Sequence, residues 1–212
     1  MTDAEGQIRQ AGRPKSAAKR DAIIDAARRQ FTREPFERVS LDAVAAEAGV
    51  SKVTIYSHFP NKEALFIAAI GAGCSAVFDR VNLEMGAGDA VALDETLTQL
   101  GLDFLEMIFD PEVDRLHAVI LGEGPRHPEL PQMFYEAVLV RSTQTFADFL
   151  AAQTAAGRIS CGDPFIAATQ FLSIVQGDFR YRVELGLPRV CRDDMEIYVR
   201  SCVALVLKSW AP

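Results

Sequence analysis

Residues 40–59 read SLDAVAAEAGVSKVTIYSHF. Leu41, Val44, Ala45 and Ala48 fall at i, i+3, i+4 and i+7, the apolar stripe of a short helix, and Ser40 stands where its N-cap belongs. Gly49 ends that helix, because glycine enters the left-handed conformation without strain. Ser51 caps a second short helix, Lys52 to about His58, which stops near Phe59 because Pro60 follows. Ala45 is small where the helices cross, Gly49 makes the turn, and Ile55 plugs the core between them, with Val44, Ala48 and Val50 completing the apolar contacts. Such a pair crosses at roughly 90–120° and forms a helix-turn-helix. A tight hairpin inside an ordinary helical bundle satisfies the same spacing. The rest of the second helix weakens that alternative: Lys52, Val53, Thr54, Tyr56, Ser57 and His58 present donors and methyl groups and no carboxylate. A solvated face usually mixes both signs of charge, whereas a face that meets phosphates avoids acids.

Upstream, Ile23, Ala27 and Phe31 recur at i, i+4 and i+8 among Lys19, Arg20, Asp21, Asp25, Arg28 and Arg29. This predicts an amphipathic helix from about residue 17 that ends before Pro35. Downstream, Asn61 caps a long helix opening Lys62-Glu63-Ala64-Leu65, and helical periodicity returns near 90–109, 112–121, 130–155, 163–185 and 193–209. The breaks carry Gly86 and Gly88, Asp110-Pro111, residues 122–128, Gly157, Gly162-Asp163-Pro164 and residues 186–188. No alternating stretch of useful length suggests a strand. The expected fold class is all-α with about nine helices: an N-terminal three-helix helix-turn-helix domain followed by a C-terminal helical bundle.

The chain has 212 residues, 49% hydrophobic and 24% charged, the balance of an ordinary globular protein, which excludes wholesale disorder and a fibrous repeat. The uncharged run 65–78 falls short of the about 20 apolar residues of a membrane span, and residues 1–10 lack the apolar segment of a secretory signal. A cytoplasmic protein with no membrane partner is expected. Cys74, Cys161, Cys191 and Cys202 include no Cys-x-x-Cys pair and read as free thiols, the alternative being a redox pairing of Cys191 with Cys202. Net charge is -7, but it is unevenly spread: residues 1–70 hold 11 Lys and Arg against 9 Asp and Glu, and residues 71–212 hold 11 against 20. Arg9, Arg13, Lys15, Lys19 and Arg20 occur together without an acid. Such a patch can meet phosphates even on an acidic protein, because its own field dominates within a Debye length of about 8 Å.

The run GVSKVTIYSHFPNKEALF, residues 49–66, preceded by the helix before Pro35 and by Phe36, resembles the TetR/AcrR family of bacterial one-component transcription regulators. The resemblance covers about the first 70 residues; beyond them only length and helix count match. It implies that Lys52, Val53 and Thr54 open a recognition helix facing base edges in a major groove, where Lys52 suits guanine and the methyl of Val53 or Thr54 suits thymine. It implies contacts to phosphate or neighbouring bases for Tyr56, Ser57 and His58, and phosphate clamps at Ser40 and Lys62, both at helix N-termini. Arg13 and Lys15 then belong to a basic arm, residues 1–16, able to enter a minor groove. Residues 17–62 are the expected DNA-binding domain and 63–212 the ligand-binding and dimerisation domain. The family implies a homodimer through the last two long helices, on double-stranded DNA carrying a palindromic operator. Ile166, Ala167, Phe171, Ile174 and Val175 form an apolar stripe on the first of those helices, and Ile197, Cys202, Val203, Leu205, Val206 and Trp210 one on the second. An unknown small-molecule effector is implied, with Phe104, Met107, Ile108, His117, Phe134, Tyr135 and Phe171 as candidate pocket residues. Such apolar residues equally suit plain core.

The function expected is that of a repressor released by its effector. The alternatives are a TetR-like activator and a helical protein–protein interaction module that does not bind DNA. No catalytic residue is assigned, because GxSxG, HExxH and P-loop patterns are missing and the Gly71 and Gly86 runs follow no strand. No cofactor is expected. His117 and His127 lack metal-ligand spacing and read as structural or pocket-lining.

Overall fold

The computed structural model describes residues 15–85 and 92–212, and the described residues contain helices and no strand. Four helices build the N-terminal part: α1 (Lys15–Arg33), a 3-10 turn (Phe36–Arg38), α2 (Leu41–Ala48), α3 (Lys52–His58) and α4 (Lys62–Met85). The remainder, called the body, holds α5 (Leu93–Ile108), α6 (Pro111–Glu123), α7 (residues 129–155), α8 (Pro164–Gln176), α9 (Phe179–Glu184) and α10 (Arg192–Ser209). α7 is continuous but carries a π-helical turn at Tyr135–Val140 between its Glu129–Phe134 and Arg141–Ala155 segments. None of the described helices is long and apolar enough to cross a membrane.

The boundaries follow local chemistry. Asp110 and Asp163 each accept two backbone N–H bonds at the start of a helix whose first residue is proline, which has no N–H to lose. α1 begins at Lys15, two residues before its periodicity required. The break expected at Gly86 and Gly88 lies outside the described residues. The periodic run 163–185 is two helices rather than one, so the described residues hold ten helices where nine were expected. The cause is Gly177, whose φ of 48° and ψ of -131° are inaccessible to other residues at low cost. Tyr198 then donates its hydroxyl to the Ile174 carbonyl at 2.7 Å, capping the end of α8.

Two apolar cores hold the chain together. One fills the body with α5, α7, α8, α9 and α10, centred on Phe146, Phe171, Leu97 and Leu105. The other starts in the first three helices with Ile23, Ala27, Phe31, Val44, Ile55 and Phe59. It continues through Leu65, Phe66 and Ile70 of α4 into Leu116 and Ile120 of α6 and Leu130, Phe134 and Val138 of α7. Phe31, Phe36 and Phe66 pack ring to ring, with centroids 4.7 to 5.8 Å apart, at the heart of this second core. Arg28 of α1 adds a two-pronged bond to Glu112 of α6, at 3.0 and 2.6 Å. The four cysteines are free; Cys191 is exposed before α10, whereas Cys202 is buried about three turns along it, too far for a disulfide.

Candidate nucleic-acid interface

The α2–α3 pair is set by its caps. Ser40 accepts the Ala43 N–H at 3.1 Å, Gly49 leaves α2 with φ 65°, and Ser51 accepts the Thr54 N–H at 3.1 Å. Ile55 and Phe59 turn inward, 1% and 3% exposed, and this rolls the opposite side of α3 outward. Val53 is 78% exposed and Tyr56 50% exposed, a large cost in wetted apolar surface for a helix of seven residues. Lys52 and Ser57 lie on the same exposed side, with Thr54 and His58 half-buried at its edge. The α3 residues singled out from the sequence therefore share one surface.

Their donors are partly engaged. The Thr54 and Ser51 hydroxyls lie 2.8 Å apart, and Ser57 donates to the Thr54 carbonyl at 2.7 Å. Lys52 is held by Asp42 of α2 at 2.9 Å, and this bond raises its pKa above the ordinary lysine value. The acid missing from α3 is thus supplied across the turn. Ser40 is exposed and keeps its hydroxyl proton for another acceptor, since its oxygen serves as the cap. Lys62 donates to the Glu37 carbonyl at 3.1 Å and sits 4.6 Å from the centre of the Phe36 ring. Burial holds its ammonium below the ordinary lysine pKa, opposed by Glu63, Glu37 and Glu123. Arg20 lies over the Phe59 ring at 5.2 Å and adds a cation near α3 that reading the sequence left in the general basic patch. Arg13 lies outside the described residues, and of Lys15 only the backbone, the first residue of α1, is described.

The seven candidate effector residues do not converge. Phe171 is fully buried in the body core against Phe146, ring centroids 5.3 Å apart, and Ile108 is 4% exposed there. Phe104 is half-buried against the same core, whereas Tyr135 is 57% exposed. Phe134 belongs to the other core and meets the edge of His117 at 5.9 Å. His117 contacts Arg180, whose guanidinium also binds Asp114 at 3.3 Å and Glu184 at 3.0 Å. Met107 lines a cavity of about 340 Å³ with Ile70, Val77, Asp103 and Leu116. A larger groove of about 910 Å³ lies on the other flank of α4, between α1 and α7, over Ile24, Ala68, Met133 and Ala137 with Arg141 and Ser142 at its side. Arg28 and Ala72 line both spaces.

An acid-free recognition face on a capped helix-turn-helix, rigidly joined to a helical body with cavities, defines the class of helix-turn-helix regulators. Residues 23–69 match the family model for bacterial regulatory proteins of the tetR family, and residues 95–212 match that for the AefR-like transcriptional repressor C-terminal domain. The chain belongs to the TetR family. It is similar to a TetR-family regulator from Mesorhizobium loti, with TM-score 0.75 and 26% identity over 94% of this chain and 100% of that one. The flavonoid-responsive regulator FrrA is 32% identical, with TM-score 0.68, over 92% of this chain and 98% of its own. The nucleoid occlusion factor SlmA of Shewanella loihica is 31% identical over 111 residues, 51% of this chain and 55% of that protein. The chain spans about half the length of the curated relatives it matches.

Proposed function

We propose that this protein is a homodimeric, sequence-specific transcriptional regulator, a repressor that leaves a palindromic operator when a small molecule binds its body. The observation that carries the reading is the outward face of α3, where Val53 and Tyr56 are exposed beside Lys52 and no carboxylate of that helix intervenes. In this reading Lys52, Val53 and Thr54 read bases, Tyr56, Ser57, His58 and Ser40 reach phosphates, and Lys62 adds charge at the start of α4. Residues 1–16 act as an arm, with Arg13 and Lys15 in a minor groove; residues 17–62 bind DNA and 63–212 respond to the effector.

Pairing through the last two long helices is supported by the apolar groups they leave uncovered. Ile166 on α8 and Ile197 and Leu205 on α10 are 56%, 70% and 59% exposed, while Ala167, Phe171, Val175 and Val203 face the body core. The effector is placed at the cavity around Met107, of a size that suits a small ligand. That FrrA is described as flavonoid-responsive makes planar aromatic compounds the first to test. A ligand there presses on α4, which begins at the end of the helix-turn-helix, and it shifts DNA affinity only by its difference in affinity for the two arrangements.

The test is selection of bound duplexes from a random pool, followed by binding at two salt concentrations. A palindromic motif is expected. Lys52→Ala and Thr54→Ala should relax sequence preference by about 1–3 kcal/mol at single positions, while Lys62→Ala weakens all duplexes alike and flattens the salt slope by about one. Recovery of no motif and no salt-dependent binding by ligand-free protein would instead identify a protein–protein module. A reporter placed under the recovered operator separates repressor from activator.

A further inference from the structure

The junction of the helix-turn-helix part with the body contains a group of side chains that DNA reading does not use. Glu37 lies in the 3-10 turn, Glu123 ends α6, and His127 lies in the loop before α7. One ligating atom from each falls within 4.8 Å of the other two. We propose that these three residues bind a single divalent ion of the zinc class, which ties the DNA-binding part to the body.

Hydrogen-bonding geometry supports the assignment. His127 Nδ1 is 3.1 Å from Glu129 Oε1, so Nδ1 carries the proton and donates it to that carboxylate. This leaves the lone pair of Nε2 facing Glu37 Oε1 at 3.4 Å. Two acceptors that face each other need a positive centre between them. The carboxylate-to-imidazole bond on the far nitrogen is the arrangement that orients a metal-bound histidine. Glu123 supplies the second observation. Its side chain is 13% exposed, and its buried Oε2 accepts no hydrogen bond. The Arg126 guanidinium stands 3.6 Å from that oxygen but is itself 72% exposed. Lys62, the other nearby cation, is committed to the Glu37 carbonyl and the Phe36 ring.

Two carboxylate oxygens and one imidazole nitrogen suit zinc or manganese, and three protein ligands leave a position for water. Glu37 is 63% exposed, which gives the ion a path in. Phe36 adjoins Glu37, packs on the helix-turn-helix core and touches the His127 ring at 5.4 Å, so an ion here fixes the angle between α2 and the α6–α7 loop.

The experiment is titration calorimetry on the tag-free full chain, stripped with chelator and titrated with Zn²⁺ alone and then Mn²⁺ alone. One ion per chain is expected. Glu37→Gln and His127→Gln should each weaken binding at least 100-fold, and Glu129→Gln about 10–100-fold through loss of orientation. His117→Gln, at a histidine outside the group, should leave it unchanged. Glu37 is exposed, so its variant keeps the test valid if a change at the buried Glu123 prevents folding. The proposal is overturned by the absence of saturable one-to-one binding. It is equally overturned by binding that survives His127→Gln, which assigns the ion to cysteine thiols, or by an imidazolium at His127 that serves without any metal.

Discussion

Removing the Asp42 carboxylate by Asp42→Asn tests how α3 is primed for DNA. Lys52 bonds Asp42 at 2.9 Å, with the two side chains 46% and 70% exposed. A pair this open contributes about 0.2–1 kcal/mol. Lys52 must leave Asp42 to reach a base, so that energy is subtracted from every encounter with DNA. Freeing it strengthens binding about 1.4- to 5-fold per recognition helix, and about 2- to 30-fold for the two helices of a dimer. Asp42 is also the second residue of α2, where a negative charge favours the helix N-terminus by about 0.3–1 kcal/mol. The variant should therefore bind DNA more tightly while melting slightly earlier. Fluorescence anisotropy on one labelled duplex at fixed salt reads the first effect, and thermal unfolding reads the second. The same substitution in a Lys52→Ala background isolates the pair, because only lost repulsion between Asp42 and phosphate remains there. Unchanged or weaker binding by Asp42→Asn, or an equal gain with and without Lys52, would refute the reasoning.

Gly177→Ala should destabilise the fold by about 1–3 kcal/mol, because φ 48° strains any other residue. The added Cβ would also stand 2.6 Å from the Tyr198 hydroxyl. Thermal unfolding should register a loss of about 2–12 °C, and an unchanged melting temperature would exclude the strain. His117 gives a pH dependence of definite sign: burial, then the neighbouring Arg180 charge, holds its pKa below the ordinary 6.5. The folded chain binds this proton less readily than the unfolded one, so the stability contribution is constant well above pH 6.5 and is lost as pH falls through that value. Denaturant unfolding at pH 7.5 and 5.5 should show a smaller decline in His117→Gln than in the parent chain; equal declines would contradict it.

Much of the fold could be read from residues that act on their immediate neighbours. Ser40, Gly49 and Ser51 announce the α2–α3 turn, and Asp110-Pro111 and Asp163-Pro164 announce two helix starts, since caps and prolines work within three residues. The interruption at Gly177 was hidden because a lone glycine in a periodic run costs a helix only about 1 kcal/mol and its φ leaves no mark on composition. The π-helical turn in α7 preserves an apolar pattern and was equally silent. Among the site residues, the exposed row on α3 was visible because it lies on one short helix. Asp42 was not, since it is ten residues from Lys52 and joins it only through the turn. Glu37 and His127 are 90 residues apart and share no spacing rule. Apolar periodicity also cannot tell a stripe facing core from one facing a cavity, so Phe171 and Met107 read alike although one is fully buried and the other lines a space.

The second core has a practical consequence for building hybrid regulators. Leu65, Phe66 and Ile70 interlock with Leu116, Ile120, Leu130, Phe134 and Val138 from α6 and α7. Fully burying such side chains contributes about 1.5–3 kcal/mol each. A splice made just after Pro60 would therefore join two halves whose mating surfaces never evolved together. A graft that keeps its specificity and its solubility has to carry α1 to α4 as one block and bring the facing residues of α6 and α7 with it. The exchangeable part of this protein is defined by a packing seam, and that seam runs well past the last residue that could touch a base.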